Sequence, residues 1–156
     1  MQYRWVSRRF AASVIAQYVS VYNDEPGVTE PIPIPSDEQI QAAAACVERA
    51  DASLFGEPQY PSFYLKCAVV LYEVAKQHFF VNGNKRIATF LLLFLLRLNQ
   101  LTFRIGPSDL ADFVEEVAKS NPANRERVLA DIEKRLHYEC DYWYVFGEYE
   151  GEIGKP

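Results

Sequence analysis

His78 and Arg86 bracket a nine-residue stretch, His-Phe-Phe-Val-Asn-Gly-Asn-Lys-Arg, that sets one titratable base before a turn rich in groups suited to holding an anion. An imidazole with an ordinary pKa of about 6.5 is substantially neutral at cellular pH and can take a proton from an attacking hydroxyl. Lys85 supplies a point charge, Arg86 a planar fork matched to two oxygens, and Asn84 an amide donor. Asn82-Gly83 favours a turn, because both residues tolerate positive φ, and the apolar run from Ile87 to Leu98 reads as a buried helix. The turn therefore opens a helix, whose first N–H groups are unpaired and point at whatever lies above them. A base beside such a cradle is suited to phosphoryl transfer, with His78 as general base and Lys85 and Arg86 stabilising charge.

Each side of this stretch is an element able to hold it rigidly. Ser62 to Gln77 is apolar on most faces and reads as a central helix, and Asn84 to Leu98 is more apolar still, with Asn99 as its cap. Phe80 is expected to plug into the core and aim the imidazole of His78. Ser7 to Tyr22 reads as an amphipathic helix with Phe10, Val14, Ile15, Tyr18 and Val21 on one stripe. Asp24 to Pro35, with four prolines and a glycine, reads as an ordered loop. Ser36 and Gln39 resemble a capping box opening an Ala-rich helix to Ala50. Leu54 to Tyr60 suits a short extended flap, Thr102 to Ile105 a short extended piece, and Pro107 to Lys119 and Asn124 to Tyr138 two further helices. The tail from Asp141 to Tyr149 fits a strand, a hairpin or a packed helix. The pairs Glu115-Glu116 and Arg125-Arg127 read as solvated helix faces, and His137 as a surface or packing histidine.

At 156 residues the chain is about one domain, able to bury its own core. A net charge of -5 argues against broad nucleic-acid or acidic-membrane binding, so any phosphate site must be local. Cys46, Cys67 and Cys140 lack metal-ligand spacing, and an odd count fits reduced thiols in a cytoplasmic setting. The charged and aromatic N-terminus is unlike a signal peptide, and the apolar run at Ile87 is shorter than the roughly 20 residues that span a bilayer.

The stretch resembles the motif of the Fic/Doc family, His-x-Phe-x-Asp/Glu/Asn-Gly/Ala-Asn-Gly/Lys-Arg between two central helices. His78, Phe80, Gly83, Asn84 and Arg86 fall on that motif, and Lys85 in place of glycine is similar to the death-on-curing, or Doc, branch. The likeness extends from about Ser7 to Tyr138. It implies an all-α fold, a compact helical bundle with a short flap before the central helix pair. The expected organisation is a catalytic domain over residues 1–139, with an aromatic-rich tail, 140–156, packed on it.

The resemblance further implies a transferase that uses ATP or another nucleoside triphosphate to modify a protein hydroxyl. His78 would be the base, with Lys85 and Arg86 catalytic and Gly83, Asn84, Lys85 and Arg86 holding the nucleotide's phosphates. Family members often have an acid where Asn82 stands, which helps hold magnesium, so Asn82 is the implied and weaker metal ligand. Members that transfer AMP usually have glycine at Lys85 and a second arginine at Thr89, and both departures favour the Doc branch and γ-phosphoryl transfer, with AMP transfer as the alternative. A catalytically weak binding module is a third reading, for which Asn82 is the cue. No Ser/Thr-x-x-x-Glu-Gly/Asn inhibitory signature is present, so restraint is expected from a separate antitoxin chain. The resemblance thus implies a toxin of a toxin-antitoxin pair acting on a host protein such as a translation factor.

Overall fold

A computed structural model describes residues 2–142, and the expected tail beyond Tyr142 lies outside them. Six α-helices, α1 (Arg8–Asp24), α2 (Asp37–Ala50), α3 (Phe63–Lys76), α4 (Asn84–Leu98), α5 (Pro107–Lys119) and α6 (Arg125–Glu139), account for most of this length. Two small antiparallel pairs complete the order, β1 (Ser53–Leu54) with β2 (Glu57–Pro58) and β3 (Leu101–Phe103) with β4 (Cys140–Tyr142). The all-α bundle expected from the sequence is the fold observed.

Serine hydroxyls start three of these helices. Ser7 accepts from the Phe10 N–H, Ser36 and Gln39 form a reciprocal capping box, and Ser62 accepts from the Leu65 N–H. Asn99 ends α4, donating to the Leu95 carbonyl at 2.9 Å while its Oδ1 accepts from the Arg4 N–H at 2.6 Å. One side chain thus finishes a helix and pins the N-terminal segment to it.

α3 is the hub. Nine of its fourteen residues are buried, and it packs against α2, α4, α5 and α6. α4 adds Ile87, Ala88, Leu91, Leu92, Leu95 and Leu96 to the same core, and α1 lies across α2 and α4. The far end of α6 is tied back by β4, whose Cys140 stands opposite Phe103, and by an Arg104–Asp141 ion pair at 2.7 Å.

Two expectations shift. The buried face of α1 is Ala11, Ala12, Ile15 and Val19, whereas Phe10 and Val21 are about half exposed. Small alanines let α1 approach its neighbours closely, while Phe10 and Tyr18 lie outside on Phe94 and Phe90 as stacked rings. The extended piece expected from Thr102 runs instead from Leu101 to Phe103, which points both apolar side chains inward and leaves Thr102 outside. The Leu54 to Tyr60 flap is a hairpin before the N-terminal end of α3, as expected. The His78 loop follows the other end, about 20 Å away along a 14-residue helix.

Candidate active site

The loop from Gln77 to Gly83 is held between two helices that cannot move independently of the core. Phe80 is 4% exposed and forms the expected plug. Asn84 staples it, since its Oδ1 accepts from the Phe80 N–H at 3.0 Å and its Nδ2 donates to the Phe80 carbonyl at 2.9 Å. The sequence suggested that this amide would face a phosphate; here both its polar atoms are committed to the Phe80 backbone. His78 takes a left-handed backbone, φ 50°, which turns the chain sharply out of α3 and leaves the residue exposed at the cavity. Among the described residues no side chain hydrogen-bonds its imidazole.

Gly83 is the N-cap of α4 in a left-handed conformation, φ 91°. Its N–H donates to Asn82 Oδ1 at 2.7 Å, while Asn84, Lys85 and Arg86 begin the helix without any side-chain cap. Their N–H groups are the free donors of the helix N-terminus. Ile32, 1% exposed, packs directly on Gly83, and both its backbone groups bond the Asn23 side chain at 2.8 Å. The proline-rich loop between α1 and α2 is therefore a segment that lies against the site.

Arg86 is oriented from three sides. Its guanidinium donates to Tyr22 Oη at 2.9 Å, to the Glu30 carbonyl at 2.5 Å and to Asn82 Oδ1 at 3.4 Å, and it lies 5.1 Å from the Tyr22 ring centre. Lys85 contacts Glu115 of α5, whose second oxygen takes Lys119 at 3.0 Å. Those two lysines, Lys85 foremost, hold the Glu115 carboxyl below its usual range. The Glu115 ion pairs are thus intact above the ordinary carboxylate range and are lost only as pH falls through that lowered value.

A cavity of about 510 Å³ collects these groups: His78, Asn82, Gly83, Asn84, Lys85 and Arg86 all line it, together with Glu30, Glu115 and Lys119. Glu115, read from sequence as a solvated face, is a wall of this cavity. The Glu115-to-Lys119 spacing marks an ion pair along a helix, yet nothing local says what that pair faces. Tyr22 and Glu30 carry no sequence signal at all, being 64 and 56 residues from Arg86.

Magnesium finds little here that is built for it. Asn82 Oδ1, the expected ligand, already accepts from Gly83 and Arg86, and the described residues contain no group of three His, Cys, Asp or Glu able to hold a metal ion. The donor set does not fit a resident divalent cation; one held by substrate phosphates needs no such cage.

A helical protein with a basic, base-bearing loop at the head of a buried helix is the class this fold and site define. The model of the family described as Fic/DOC matches residues 11–96, more than half of the chain, and the chain belongs to that family. Its members are generally transferases. The chain is also 34% identical over 76 residues to Toxin Doc of Mycolicibacterium smegmatis (strain ATCC 700084 / mc(2)155), a stretch covering 47% of this chain. That match spans 58% of the relative's length. Among the described residues no helix is long and apolar enough to cross a membrane.

Proposed function

We propose that this chain is a Doc-like toxin that transfers the γ-phosphoryl group of ATP, as its magnesium complex, to a hydroxyl of a host protein, with a translation factor as the target class. The observation that carries the reading is one cavity holding an imidazole free of hydrogen bonds from the described residues, an uncapped helix N-terminus and the cations of Lys85, Arg86 and Lys119. In the proposed step the substrate hydroxyl oxygen attacks the γ-phosphorus and its proton passes to His78. The bond from that phosphorus to the bridging oxygen breaks, and ADP leaves. Arg86, fixed by Tyr22 and the Glu30 carbonyl, holds equatorial oxygens, and Lys85 neutralises developing charge. Thr89 supports γ- over α-transfer, because its hydroxyl turns back to the Lys85 carbonyl at 2.7 Å and no cation stands there for a further phosphate.

Restraint by an antitoxin is part of the proposal. An apolar groove of about 480 Å³, lined by α1, α4 and α5, adjoins the cavity and shares Lys85, Arg86 and Glu115 with it. A partner segment seated there would close the site. The buried free thiols agree with action in a reducing cytoplasm.

The test is incubation with magnesium, host lysate and ATP labelled separately at the α- and γ-phosphates. Label entering a protein from the γ-position alone, and lost with His78→Ala, is the expected result. Label from the α-position would establish AMP transfer instead, and tight nucleotide binding without turnover would leave a binding module.

A further inference from the structure

An anion site with a carboxylate in its wall is a contradiction that needs a physical account. Glu115 projects from α5 into the cavity of His78 and Gly83, and each of its oxygens takes one lysine, Lys85 from α4 and Lys119 from its own helix. Lys85 is the first cation of α4, in the turn that opens the helix, so a phosphate entering the cradle and Glu115 compete for the same ammonium. We infer that Glu115 is a built-in competitor for the phosphate site: it occupies Lys85 when the cavity is empty, is displaced by the incoming phosphates, and thereby sets nucleotide affinity.

This rests on the cavity being a phosphate site, as proposed above. Three features favour exchange over a fixed structural bridge. Both partners are substantially exposed, with side chains 51% and 37% accessible, so breaking the pair buries no orphaned charge. Lys119 holds the other oxygen, so Glu115 keeps a partner after Lys85 leaves. Glu115 also stands where the cavity meets the apolar groove, so a segment bound in the groove would touch the same residue.

Calorimetric titration of the full chain with magnesium ATP, inorganic pyrophosphate and adenosine tests the assignment. Glu115→Gln keeps the size and removes the charge, and it is expected to tighten ATP and pyrophosphate by about five- to tenfold, the scale of one partly screened charge at close range. Adenosine, which has no phosphate, should bind as it does to the parent. Glu116→Gln, an exposed neighbour outside the cavity, controls for net charge and should change nothing. Equal or weaker binding of ATP and pyrophosphate by Glu115→Gln, with the parent binding both, overturns the competitor role while leaving the phosphate site standing. Failure of parent and variant alike to bind either phosphate ligand overturns the phosphate site, and this inference with it. Glu115→Ala serves as a second variant should the glutamine fold poorly, with the same expected direction.

Discussion

Gly83 meets two demands that no other residue type satisfies together. Its φ of 91° lies in the left-handed region, and a Cβ added there would come within 3.0 Å of Ile32 Cγ1. A side chain would strain the backbone and push away the loop that orients Arg86. Gly83→Ala is therefore expected to destabilise the fold by about 1–3 kcal/mol, read as a lower urea midpoint at unchanged slope. A variant as stable as the parent would show that the Ile32 contact yields freely. His78 also bends out of α3 with φ 50°, a conformation histidine tolerates better than bulky or β-branched residues do. The residue types of the motif were readable directly, since a base, a turn and two cations announce themselves by chemistry. Asn84 was not, because whether an amide faces a ligand or a neighbouring backbone depends on where Phe80 sits.

Among the elements, the loop between α3 and α4 is rigid because its own polar groups are satisfied internally. Asn84→Ala would remove both bonds to Phe80 and leave that buried N–H without its partner, at a cost of roughly 1–3 kcal/mol. Hydrogen exchange should quicken at the Phe80 amide before it does in the middle of α3. Unchanged exchange there would mean that packing of the Phe80 ring alone holds the loop. The helices themselves were legible, since apolar periodicity and serine caps are local signals. What the hairpin and the proline-rich loop each lie against was not. Leu54 and Phe55 sit exposed at one end of α3 while Ile32 and Glu30 meet the site at the other, a difference set by helix length and chain direction in space.

Across the whole molecule, three thiols report on the integrity of the packing. Burial pushes Cys46 up to about 11, against the partial relief of Arg49; it pushes Cys140 up to about 12 and Cys67 well above the normal thiol range. All three stay protonated and shielded at neutral pH, so native protein should react with a thiol-specific disulfide reagent on the order of a hundredfold more slowly than denatured protein. Rapid reaction of one thiol in the native state would locate an opening that the packing does not suggest. The sequence by itself determined the helical bundle, the His78 to Arg86 loop and the family to which they belong. Each of those rests on periodicity, capping or spacing within a few residues. Only the tertiary structure decided that Tyr22 and the Glu30 carbonyl aim Arg86, that Ile32 seals Gly83, and that Glu115 faces Lys85. Those partners lie 30 to 64 residues away along the chain, and only packing around α3 brings them together.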